Sequence, residues 1–226
     1  MTALFQPYSH HHFQALPNIL KAADNFAKYG GISKLNDGLS EVVHRNPIAA
    51  TRFGIQLLHR HSNLKSGEVL LAWDGTTFPI RLADVASGQL ANIVPTIWGL
   101  KPGTADFVPL EFAFVTAQTC LMPTLDRDLA RDVAVLLHAH GLERMLGLAI
   151  LPQGEQVGLE ATFGRANVVM SAQAFNPMIK RVEVLWRMPV PDKRRRCIQQ
   201  CVQECVIVED WPHSPLHDEE HEECYC

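Results

Sequence analysis

At 226 residues, with 47% hydrophobic and 19% charged side chains, the chain is too apolar for a disordered protein and long enough to bury its own core. A formal charge of -4 with histidines neutral excludes a binder held to nucleic acid by overall basic charge. No basic stretch leads into an apolar run at the N-terminus, and no run reaches the roughly 18 apolar residues of a membrane span, so a cytoplasmic protein is expected. In a reducing compartment clustered cysteines read as ligands or thiols rather than disulfides.

The first sixty residues are patterned as helices. After Pro17, an apolar stripe of Ile19, Leu20, Ala23 and Phe26 runs at helical spacing until Gly30-Gly31 stops it. Leu35, Leu39, Val42 and Val43 define a second helix from Ser33 to about Arg45. Asn46-Pro47 has the chemistry of a cap followed by a first helical residue, which predicts a third helix reaching His59.

From Gly67 the period changes. Val69 to Trp73 and Phe78 to Leu82 flank an Asp74-Gly75 turn and predict a hairpin. Pro95, Pro102 and Pro109, with Gly99 and Gly103, predict a loop between Ile93 and Leu110, and Glu111 to Thr119 follows as a strand. Thr124 is positioned to cap a helix that carries Asp126 and Asp128 in its first turn and ends at Gly141. Four further strands are expected: Met145 to Leu151, Val157 to Phe163, Asn167 to Ala172 and Arg181 to Met188. Asp192 then caps a final helix through Cys205, and the chain after Glu209 is acidic and polar.

Helices first and strands after predict an α+β fold, with a largely antiparallel sheet covered by the N-terminal helices and one central helix, plus a C-terminal Cys-rich helix and acidic tail. The expected division is one domain over 1–190 and a Cys/His-rich appendage over 191–226.

The densest chemistry is at the C-terminus. Five of the six cysteines lie in the last thirty residues, with His213, His217 and His221 among them. Thiolate and imidazole are the soft and borderline ligands of zinc, iron and copper. On a helix Cys197, Cys201 and Cys205 would share a face, either as metal ligands or as small apolar groups docked on the sheet. The spacing is not that of a zinc knuckle.

In the body, His59-Arg60-His61 ends one predicted element and precedes another. If helical, His59 joins Arg52 and Gln56 on a polar stripe; if extended, both imidazoles share a side and suit a metal. His138 and His140 fall on different faces of their helix, and His140 reads as a core-facing residue. Glu111 and Glu160 lie within strand patterns and could supply a general base. Trp98 and Arg52 are candidate substrate contacts. Lys193, Arg194, Arg195 and Arg196 form a basic run that offers a local phosphate or RNA contact. No phosphate loop, nucleophile elbow, dinucleotide fingerprint or zinc-protease helix occurs.

These residues support a metal-dependent enzyme acting on a small molecule, with zinc as the ion. Its ligands would come from His59, His61, Cys201, Cys205, His213 and His217, with Glu111 or Glu160 as acid or base. Two alternatives stand beside it: a non-catalytic interaction module that docks through its Cys-rich helix, and a metal-free enzyme using a nucleotide or RNA.

Overall fold

The computed structural model describes residues 8–116, 123–152, 158–171, 180–189 and 200–207. The expected α+β fold is not what forms. The strands close on themselves into a ten-stranded mixed barrel, β1 (Phe53–Leu57), β2 (Glu68–Trp73), β3 (Thr76–Arg81), β4 (Ile93–Leu100), β5 (Phe107–Phe114), β6 (Leu146–Ile150), β7 (Gly158–Phe163), β8 (Ala166–Ser171), β9 (Lys180–Arg187) and β10 (Gln200–Ile207). Around the barrel the order is β1-β6-β4-β5-β2-β3-β8-β7-β10-β9, and β9 returns to β1. Two neighbouring pairs are parallel, β2 with β5 and β7 with β10; the others are antiparallel. Closure removes the free edges that an open sheet would expose.

Four α-helices accompany the described strands: α1 (His10–Gln14), α2 (Ile19–Lys28), α3 (Gly31–Arg45) and α4 (Arg127–His140). Asn18 caps α2 by accepting the Lys21 N–H at 2.9 Å. Asp126 caps α4 through the N–H groups of Asp128 and Leu129, two residues beyond Thr124, and Gly141 closes it in the left-handed conformation at φ 67°. The buried faces of α2, α3 and α4 pack with one face of β1, β4, β6 and β9, where Phe53, Ile55, Leu57, Trp98, Leu146, Leu148, Val184 and Trp186 meet them. Ala149, Leu151 and Leu185 form a separate cluster with Val202 of β10. Among the described residues, no helix is long and apolar enough to cross a membrane.

Three local departures account for the change of class. The helix expected from Pro47 gives way to a single 3-10 turn at Ala49–Thr51 and then β1. Asn46 does not start a helix. It ends α3, its N–H reaching the carbonyls of Val42 and Val43, and its side chain bonding Val42 O at 2.9 Å and Asp132 Oδ2 at 3.0 Å. The proline-containing stretch expected as a loop supplies β4 and the start of β5. Pro95 and Pro109 pair close to register shifts in the β4–β5 ladder, where a missing N–H is tolerated. The C-terminal Cys-rich helix is likewise corrected at its described end, since residues 200–207 form β10, paired with both β7 and β9. Cys201 and Cys205 are four apart, a spacing that shares a side on a helix and equally in a regular strand, so it does not tell the two apart.

Candidate metal centre

The register of six consecutive barrel strands lays out one continuous face. Glu111 on β5 is level with Leu70 on β2, and Ala72, two residues on, pairs with Thr77 of β3. Thr77 pairs with Asn167 of β8, Asn167 with Thr162 of β7, and Glu160, two before Thr162, with Cys205 of β10. Residues so paired, or two apart on one strand, project to the same side. Polar side chains on this face are deeply buried, with Glu111 at 8%, Glu160 at 4%, Thr162 at 4% and Asn167 at 1% exposure.

His59 and His61 enter this polar interior just beyond the end of β1. Leu58 N–H still bonds Met145 O at 2.8 Å, and Arg60 N–H bonds Pro17 O at 2.8 Å, so the chain is held on both flanks of His59. Both imidazoles fall on the same side, with ring centroids 4.4 Å apart in an edge-on arrangement. His61 Nε2 lies 3.5 Å from Glu111 Oε1 and 3.9 Å from Glu160 Oε1. Three strands separate β5 from β7 along the sheet, so one imidazole meets both carboxylates only across the lumen.

His59 meets β10 at the same place. Its Nδ1 is 2.8 Å from Leu57 O, and because a carbonyl only accepts, Nδ1 carries the proton. That leaves the Nε2 lone pair facing Cys205 Sγ at 3.4 Å. Cys205 is fully buried, and its Sγ is also 3.8 Å from Glu160 Oε2, an oxygen that accepts from Gln203 Nε2 at 2.7 Å. The ligand atoms of His59, His61 and Cys205 all lie within 4.8 Å of one another, close enough to hold a metal ion. Two nitrogens and one sulfur form a set that suits zinc and other borderline to soft ions. The carbonyl on the far nitrogen of His59 is the kind of second contact that fixes a ligating imidazole.

Five residues singled out in the sequence thus meet here: His59, His61, Cys205, Glu111 and Glu160. Cys201 does not. On β10 two register shifts separate it from Cys205, and it lies with Glu183 and Glu204 in a second, more exposed group whose ligand atoms are also within 4.8 Å. Those carboxylates have other partners, Trp186 Nε1 on Glu183 at 2.9 Å and Arg181 on Glu204 at 3.5 Å. Burial, reinforced by the charges of Glu183 and Glu204, pushes the Cys201 thiol up to about 12. Arg52 is exposed before β1, and its carbonyl accepts Leu151 N–H. Trp98 is buried among apolar side chains, edge-on to Phe53 at 6.0 Å, so neither reaches the centre as a described contact. His138 is exposed and bonds Thr104 O at 3.0 Å, and His140 is half-buried. His213, His217, Cys120, Cys197 and Lys193 to Arg196 lie outside the described residues.

Two contributors escaped the sequence reading. Gln203 orients Glu160, and its signal was available only once the segment is read as a strand, where it shares a side with Cys205. Tyr8 donates to Glu68 O at 3.3 Å, and burial, with the Glu111 charge adding to it, holds its phenol protonated well above the ordinary range. No protein-family model matches the chain, and neither a curated protein nor a solved structure matches it.

Proposed function

We propose that the barrel is the scaffold of a metal-dependent enzyme of a reducing compartment, with zinc bound by His59, His61 and Cys205 and a small molecule as substrate. The observation that supports it is the convergence of three neutral-to-anionic ligand atoms within 4.8 Å, beside two further buried carboxylates. Catalytic zinc sites commonly use three protein ligands and leave a position for water, whereas structural sites close the fourth position with protein. When bound, the ion would supply Lewis acidity and a lowered pKa to a coordinated water. Glu160, oriented by Gln203, would serve as the general base beside such an ion, and Glu111 would hold His61 from the opposite wall.

A second reading has its own observation. The 3.4 Å approach of Cys205 Sγ to His59 Nε2, with Nδ1 anchored on a backbone carbonyl, is also the geometry of a thiol activated by a base. It draws on the same buried centre without an ion, so the metal content separates the two readings.

The test is metal analysis of tag-free protein purified without chelators, followed by assay of zinc-loaded and zinc-stripped protein on ester, amide and phosphoester substrates. About one zinc per chain, turnover that depends on it, and a Glu160→Gln variant that keeps the zinc but loses turnover would support the enzyme. Stoichiometric zinc with no turnover would reduce the centre to a structural one. Metal-free protein with turnover blocked by a thiol reagent would favour the second reading.

A further inference from the structure

A separate cleft lies against the outer flank of the histidine segment. It has a volume of about 970 Å³ and is walled by α2, by the chain before it and by the turn that leads from α4 into β6. Lys21 and Lys28 come from one stripe of α2, with Asn25 between them, Arg144 from the turn and Arg60 from between the two histidines. Asn18 lines the cleft as well, and Leu57 and Leu58 form part of its floor. Ile19 and Phe26, on the other side of α2, are buried in the core, and Lys21, Asn25 and Lys28 face the cleft.

Its charge is anomalous for this protein. The chain carries a net -4, yet the cleft gathers four cations against one carboxylate, Glu143. Among the described residues none of the four cations makes an ion pair; the pairs formed use Arg45, Arg131, Arg165, Arg181 and His61 instead. Like charges from three chain segments repel when brought together, and an anion of matching size removes that cost. Arg60 is fixed from both ends, by its N–H on Pro17 O at 2.8 Å and by Nη1 on Gln14 O at 3.3 Å, which leaves the rest of its fork available.

We propose that this cleft binds a small molecule bearing phosphoryl groups. The volume admits a ligand of nucleotide or sugar-phosphate size. Two ammonium groups and two guanidinium groups spread across it suit several anionic oxygens better than a single carboxylate. His59 and His61 do not line the cleft, so the proposal stands independently of the metal centre.

The probe is inorganic pyrophosphate, titrated calorimetrically into the full chain at low ionic strength without added metal. Saturable one-site binding is expected, weakening steeply with added salt. A Lys21→Gln, Arg144→Gln double variant, both positions exposed, should weaken it tenfold or more, whereas a Lys101→Gln, Arg127→Gln control of equal charge change should not. His59→Ala should leave binding intact. The proposal is overturned by absence of saturable binding up to millimolar pyrophosphate, by equal affinity in the cleft and control variants, or by binding lost in His59→Ala but kept in the cleft variant, which would place the anion on a metal.

Discussion

His59 Nε2 and Cys205 Sγ face one another at 3.4 Å although 146 positions separate them in the chain. The closure of the barrel makes the meeting possible, since β9 joins β10 to β1 and carries the end of β1 alongside β10. Leu57 O, by fixing the proton on Nδ1, aims the lone pair at the sulfur. The pair therefore belongs to the folded barrel and not to any local segment. Cobalt substituted for zinc should show thiolate-to-metal charge transfer in the near ultraviolet. Cys205→Ser should abolish that band and Cys201→Ser should leave it; a band that survives Cys205→Ser would remove this sulfur from the centre.

The two described cysteines should also differ chemically. Cys201 is only half-buried, but a thiol pushed up to about 12 carries on the order of 10³-fold less thiolate at neutral pH than an ordinary one. Iodoacetamide at pH 7.5 should therefore modify Cys201 slowly with or without chelator, read by peptide mass mapping. Raising the pH should accelerate it continuously, with no plateau below about pH 10. Rapid modification at neutral pH would show that burial, with the charges of Glu183 and Glu204, does not hold this thiol protonated.

The centre was more legible in the sequence than the fold, and for a physical reason. Alternating strand patterns mark Glu111 and Glu160 as members of strands, and a His-x-His spacing marks two imidazoles for one side if the chain is extended. These are local properties. Whether β10 is a helix or a strand is not local. Its cysteines fit both periods, and the outcome rests on pairing with β7 and β9, where Cys205 meets Glu160 of β7, 45 positions away in the chain. The β4–β5 ladder was hidden because Pro95 and Pro109 argue against central strands unless bulges accommodate them. Closure itself leaves no mark on any single segment.

Barrel closure brings strands into close contact at glycines. A Cβ on Gly147 would lie 2.1 Å from Trp98 O and 2.8 Å from Leu58 Cδ2, and the first of these is backbone that the β4–β6 ladder holds in place. Gly147→Ala should destabilise the protein by about 3 kcal/mol, at the upper end of overpacking effects. For a chain of this size that is a fall in Tm of about 6–12 °C. Gly88→Ala, with open space around it, is the control and should change Tm little. Equal Tm values for the two variants would mean that β4 and β6 are not packed as described.

Glu68 provides a pH test of the barrel wall. The Arg165 guanidinium, from the β7–β8 turn, bonds this buried carboxylate and also reaches Asn63 O at 2.9 Å. That bond holds the Glu68 carboxyl below its ordinary value of 4.5, against the opposing effect of burial and with help from the Lys65 N–H at 2.7 Å. A carboxyl lowered in the folded state stabilises the fold above the pH at which the unfolded chain titrates, near 4.5, and that stabilisation fades as the pH falls through the lower folded value. Glu68→Gln should therefore cost about 1–2 kcal/mol at pH 7, a modest figure because Arg165 is 40% exposed and partly screened. In Tm this is about 2–8 °C. Below pH 4.5 the difference between the variant and the parent should shrink as the parent's own carboxyl takes up its proton. A gap that stays constant from pH 7 down to pH 3 would show that Glu68 contributes through packing and not through its charge.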